Sequence, residues 1–194
     1  MMRCIIDQEN GFTLVELLIA MVISGITLAA MFTTLIVHRR HYALQEQVTE
    51  MIQGARAAVD MMTREIQAAG YSPTGAAFDG IPYNASQLEI RADLTGDGDT
   101  GDANENIIYT FDAGNRQIDR NTGGGGQPFA ENVEAFTPSY FDANGNATTT
   151  SANIRQIEIS VRVRTSKPDL NYTANGGYRT YTLTARVTPK NLVR

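Results

Sequence analysis

Residues 11–30 read GFTLVELLIAMVISGITLAA. The run is apolar almost throughout and holds a single charge, Glu16, five residues after Gly11. A carboxylate at the edge of a membrane-length stretch is costly unless something answers it. The apolar character continues to Val37. As a helix, residues 12–37 span about 39 Å, against about 30 Å for a bilayer hydrocarbon core. A secretory signal has an apolar core of only roughly 7–15 residues and a small-residue cleavage site behind it. This run is longer and lacks that site. Its flanks also disagree with a simple anchor. Arg3 ahead of it is opposed by Asp7 and Glu9, whereas His38-Arg39-Arg40-His41 behind it is more basic. A positive-inside count therefore favours the reverse orientation, so a more specific feature reads this terminus.

Downstream the pattern changes without stopping. Leu44, Val48, Met51, Ala55, Val59, Met62, Ile66 and Ala69 recur at steps of three or four, which makes one apolar stripe. Gly70, with Pro73 shortly after it, is a helix stop. The spacing predicts one helix over residues 12–69, greasy all round in its first half and on one side in its second. Two helices with a break near Tyr42 are the alternative.

Beyond Gly70 the periodicity turns to two. Ile154, Ile157, Ile159, Val161 and Val163 are apolar, with polar residues between the last four. Tyr181, Leu183, Ala185 and Val187 repeat the pattern. These are antiparallel strands with one wet face. Residues 169–177, ending Asn175-Gly176-Gly177, supply their connection. Residues 88–92 and 107–111 form an earlier pair. The glycine run 123–126 predicts a mobile loop. The fold class is α+β, with the sheet laid on the helix stripe.

Composition narrows the chemistry. Net charge is −5, and the bases are scattered, so neither a nucleic-acid stripe nor a polybasic lipid patch is present. Cys4 is the only cysteine, which rules out an intramolecular disulfide. His38 and His41 are the only histidines. The region after residue 41 therefore lacks the usual bases and activated nucleophiles. A carboxylate-only hydrolase would need a specific acidic pair, and none stands out.

One segment is dense in hard oxygen donors. Residues 93–105, DLTGDGDTGDANE, hold five acids and no base. On the calcium-loop template Asp93 takes position one, Thr95 three, Asp97 five, and Gly98 the tight turn, with Asp99 next. Position twelve falls on Asn104, and Glu105 comes one residue late. Calcium is one reading. The other is a solvated loop, since Asp-Gly pairs are ordinary turn residues.

The segment G-F-T-L-V-E, residues 11–16, resembles the class III signal of type IV pilins and pseudopilins. The resemblance implies a pilin-like fold, a leader of residues 1–11, cleavage between Gly11 and Phe12 by a prepilin peptidase, and N-methylation of Phe12. It further implies that Glu16 pairs with the terminal amine of a neighbouring subunit during assembly. The apolar segment departs from many major pilins in lacking a proline, and Gly25 is its weak spot. Residues 64–71, R-E-I-Q-A-A-G-Y, resemble the PilW-type minor pilins and the J-type pseudopilin of type II secretion. The pieces 107–112, 117–120, 130–136, 139–142, 183–187 and 191–192 follow in the same order. The resemblance thus divides the chain into leader 1–11, transmembrane and assembly helix 12–41, amphipathic half 42–70, and β-rich pilin domain 71–194. It implies a minor pilin that is not an enzyme, with other pilin subunits, the prepilin peptidase, the inner-membrane assembly platform and lipid as partners, and no nucleic acid directly. The place implied is the inner membrane, single-pass with a periplasmic C-terminal domain, and then the pilus surface. A pseudopilin of a secretion or DNA-uptake machine, and a calcium-responsive adhesin displayed on a filament, are the alternative functions.

Overall fold

The structure, a computed structural model, describes residues 11–192. The expected leader, Gly11 apart, lies outside the described residues, as do Asp7 and Glu9. Helix α1 is a single α-helix, Leu14–Ala68, with no break at Tyr42. Two compact units divide at Gln45 and Glu46.

In the first unit, the apolar side chains between Phe12 and Val37 are exposed. This part of α1 is long and apolar enough to cross a membrane. Three of its threonine hydroxyls are satisfied within the helix. Thr27, Thr33 and Thr34 donate to the carbonyls of Ile23, Ala29 and Ala30 at 2.8, 3.0 and 3.0 Å. In lipid, where no water competes, such back-bonding removes the cost of an unmet donor. Gly25 sits inside the helix without interrupting it.

In the second unit the stripe does what its period predicts. Ala55, Val59, Met62, Ile66 and Ala69 are buried, joined by Ala58, while Met51 packs on the margin of the core. Two antiparallel sheets share that core. The first is a meander of β1 (Gln87–Arg91), β2 (Asn106–Asp112), β3 (Gln117–Asn121) and β4 (Gly126–Glu131). The second orders β5 (Val133–Phe141), β6 (Gln156–Arg164) and β7 (Thr180–Val187). The predicted early pair is present, with Leu88 opposite Tyr109 and Ile90 opposite Ile107. On β6, Ile157, Ile159, Val161 and Val163 face the core, and Glu158, Ser160, Arg162 and Arg164 alternate with them. Pro128 and Pro138 lie on β4 and β5, which are edge strands, where a missing N–H disturbs no second ladder.

The glycine run departs from expectation. Residues 123–125 form the β3–β4 turn and Gly126 opens a paired strand. Asn121 Oδ1 accepts from the N–H groups of Gly123 and Gly125 at 2.9 and 3.1 Å, so a side chain fixes what composition alone made a loop.

The helix stop is also a packing point. Gly70 adopts φ +75°, and its N–H donates to the Arg91 carbonyl at 2.8 Å. The chain comes back against it at Gly80, where a Cβ would lie 2.4 Å from the Gly70 nitrogen. Backbone cannot yield there as a side-chain tip would. Gly80→Ala should cost about 1–3 kcal/mol by overpacking. The check is a lowered melting midpoint, with Gly54→Ala as the control that should hold or raise it, since its added Cβ meets nothing within 4 Å and alanine favours the helix there.

Candidate functional site

Three groups of ionisable side chains are organised by the fold. The first is the start of α1. Gly11, Phe12 and Thr13 precede the helix and are exposed, so the Gly11–Phe12 bond lies outside helical structure. Thr13 caps the helix. Its N–H and hydroxyl donate to Glu16 Oε2 at 2.9 and 2.8 Å, and the Glu16 N–H donates to Thr13 Oγ1 at 3.2 Å. This is a reciprocal capping box, T-x-x-E, which satisfies two otherwise orphaned donors. The sequence reading took Glu16 for an acid awaiting a partner. Thr13 three residues earlier was the legible sign that it already has one.

The second group joins α1 to the first sheet. Glu65 Oε1 accepts from Arg120 Nη2 at 2.6 Å and from its Nε at 3.2 Å. The Tyr109 hydroxyl donates to Glu65 Oε2. Tyr109 is fully buried, and its ring meets Phe129 edge-on at 5.1 Å. Burial, and then the adjacent Glu65 carboxylate, push the Tyr109 phenol far above its ordinary range. The sequence reading left Glu65 and Arg120 as parts of a signature without a stated role. Their separation of 55 positions hides the pairing.

The third group is the acidic loop between β1 and β2. Asp93 N–H donates to the Tyr71 carbonyl at 2.9 Å, tying the loop to the end of α1. Asp93 Oδ1 accepts from Gly96 N–H at 2.6 Å, and its Oδ2 from Gly98 N–H at 3.1 Å and the Thr74 hydroxyl at 3.2 Å. Glu105 Oε1 accepts from the N–H groups of Leu94 and Thr95 at 2.8 and 2.7 Å. The Thr95 amide holds the Glu105 carboxyl below its usual range, against the opposing effect of burial. One carboxylate oxygen each of Asp93, Asp97 and Glu105 lie within 4.8 Å of one another. Glu105, one residue late on the template, is therefore the acid brought back to Asp93. Asn104 takes φ +69° and donates its N–H to the Thr122 carbonyl, which turns the chain into β2 at that point. Thr95 serves through its backbone N–H. Asp99 lies outside the cluster and accepts from Gly101 N–H at 2.8 Å. A cavity of about 280 Å³ adjoins Glu105, with Arg64, Glu65, Leu94 and Arg120 on its walls.

Residues 7–32 match the family described as the prokaryotic N-terminal methylation motif. The chain thus carries a prepilin-type N-terminal signal, and the helix that follows suits a membrane anchor. Among solved structures, a type IV-like pilin from Thermus thermophilus matches at 14% identity and a TM-score of 0.45, covering 73% of this chain and 98% of that one. No curated protein sequence matches.

The Glu65 network yields a graded prediction. Glu65→Ala strips the partner from the buried Tyr109 hydroxyl and the half-buried Arg120 guanidinium and should cost roughly 2–3 kcal/mol. Tyr109→Phe removes one hydroxyl and should cost about 1 kcal/mol. Denaturant unfolding of the detergent-solubilised chain checks the order, and equal losses in the two variants would contradict it.

Proposed function

We propose that the chain is a pilin-type structural subunit, most similar in role to a minor pilin that helps start or extend a type IV pilus. The observation that carries this reading is the methylation motif at residues 7–32, which runs into a helix of membrane-crossing length that begins at Leu14. In it, a prepilin peptidase cuts after Gly11 and methylates the new amine of Phe12. The exposed, non-helical backbone at 11–13 suits a protease that must hold an extended segment. The uncut protein sits in the inner membrane with residues 42–194 outside the cytoplasm, and the processed protein passes through the assembly platform to other pilin subunits.

Glu16 has two states in this reading. In the free chain its Oε2 closes the Thr13 capping box. In the assembly its carboxylate also meets the cationic Phe12 amine of a neighbour, and the low dielectric of a helix bundle strengthens that pair. Cleavage creates the amine, so joining cannot precede processing. A pseudopilin of a secretion or DNA-uptake machine uses the same chemistry. Deletion of the gene, followed by imaging of pili and an assay of protein secretion, separates the two. Lost pili with secretion intact supports the pilus, and the opposite result overturns it.

Two further outcomes are expected. Mass spectrometry of the membrane fraction should find a chain beginning at Phe12 and bearing one added methyl. Gly11→Leu should leave the chain uncut, although an added Cβ there meets nothing within 4 Å in the protein itself. Glu16→Gln keeps an acceptor for Thr13 and removes the charge. It should be processed normally yet fail to enter sheared filaments. Filament incorporation equal to the parent protein would reduce Glu16 to a helix cap.

A further inference from the structure

We infer that Asp93, Asp97 and Glu105 form a calcium site that locks the β1–β2 loop against the end of the spine helix. The inference is independent of the filament reading. It rests first on convergence. Glu105 comes from the start of β2 and Asp93 follows β1, and both are buried, at 1% and 0% exposure. Oxygens on a common calcium lie about 2.4 Å from it, hence no more than about 4.8 Å apart. The three carboxylate oxygens meet that limit.

The second observation is an unmet acceptor. Glu105 Oε1 takes two backbone N–H groups, whereas Oε2 is buried with no hydrogen-bond partner. A buried carboxylate oxygen left unpaired is expensive. Among the described residues no salt bridge engages Asp93, Asp97 or Glu105. No lysine or arginine occurs in sequence between Arg91 and Arg116, and Arg120, across the adjoining cavity, is held by Glu65. Among the described residues the three clustered negative charges therefore have no salt-bridge partner, and Arg64 shares only the cavity wall with Glu105.

The donor chemistry selects the ion. The ligands are carboxylates alone, with no histidine or cysteine after residue 41, which suits a hard cation. A glycine-rich loop that bends at Gly96 (φ +82°) and Gly98 (φ +94°) offers adjustable geometry rather than a rigid octahedron. That favours calcium over magnesium. Asp97, on the exposed side, closes the site after the two buried acids have been fixed by backbone N–H groups. The bound ion would tie Asp93, already bonded to Tyr71, to the first residue ahead of β2. The junction of helix and sheet would then stiffen.

Full-length protein in detergent, stripped with a chelator and titrated with calcium chloride, tests this. One calcium per chain should bind by calorimetry, and the melting midpoint should rise by roughly 5 °C at saturation. Asp97→Asn leaves both buried acids in place and should abolish the rise. Glu105→Gln keeps the acceptor for Leu94 and Thr95 and should do the same. Asp99→Asn should keep it. Absence of heat and of any shift at about 5 mM calcium, above the weak end of extracellular calcium modules near 10⁻³ M, overturns the site. So does a shift that survives Asp97→Asn, or an equal shift with magnesium.

Discussion

Met62 and Ile66 have no exposed surface, and the folded domain is arranged around them. They sit on a helix whose other faces carry Asp60, Arg64 and Glu65, so burial is confined to one stripe. A single stripe is too narrow to bury two sheets by itself. The sheets instead share it, with Leu88, Ile90 and Tyr109 from one and Ile157, Ile159 and Val161 from the other in one core. The alternation on β1, β2 and β6 then follows, because a residue slip would turn the apolar set outward. The stop at Gly70 belongs to the same constraint. The helix must end where the chain has to fold back beneath β1, and the Gly70–Gly80 approach leaves no room for a longer one.

Around this apolar contact the acids have a common task. Glu16, Asp112, Asp142 and Asp169 each accept backbone N–H groups at a turn or a helix start. Asp112 and Asp142 are held below the ordinary carboxylate range mainly by such bonds, from Asn115 and Asn146. Much of the net charge of −5 is thus turn geometry rather than a field for partners. Arg186 over the Phe141 ring and Arg164 over the Tyr178 ring show bases used equally locally. Glu105 differs, since its second oxygen is buried with no hydrogen-bond partner.

Periodicity made the helix and the β6–β7 strands legible, because each buries one side of a regular repeat. The β1–β2 pair was legible for the same reason. Residues 123–126 were not, since the order there comes from Asn121 and from pairing with β3, and neither shows in a run of glycines. Glu65 with Arg120 and Tyr109 was hidden by sequence distance. The acidic loop was half legible. Spacing brought out Asp93 and Asp97, but a linear template cannot register the left-handed turn at Asn104 that delivers Glu105 in place of the twelfth residue. Glu16 is conspicuous as a charge in an apolar run, whereas its capping role shows only in the T-x-x-E spacing from Thr13.

A β-rich domain without cysteine after residue 4 needs other cross-links between its layers. The helix and first sheet are joined by two polar fastenings at different heights. Glu65 holds β2 through Tyr109 and β3 through Arg120. Higher on the chain, the Tyr71 carbonyl holds Asp93, and Asp93 shares its loop with Glu105 at the head of β2. Both fastenings clamp β2, the strand whose Ile107 and Tyr109 enter the core beside the helix. Beside the second sheet the ties to α1 are neutral hydrogen bonds: Gln47 Oε1 accepts from Lys167 N–H at 3.0 Å, Lys190 N–H donates to the Gln67 carbonyl at 3.3 Å, and Asn191 Nδ2 donates to the Ala68 carbonyl at 3.3 Å. That sheet's hold is chiefly the apolar contact of β6. The two sheets therefore differ in kind: one is fixed to the helix by charge as well as burial, and the other is mostly a hydrophobic lid on the same stripe. Loosening would begin on the side of β5–β7, where among the described residues no ion pair to α1 must be broken before water reaches the core.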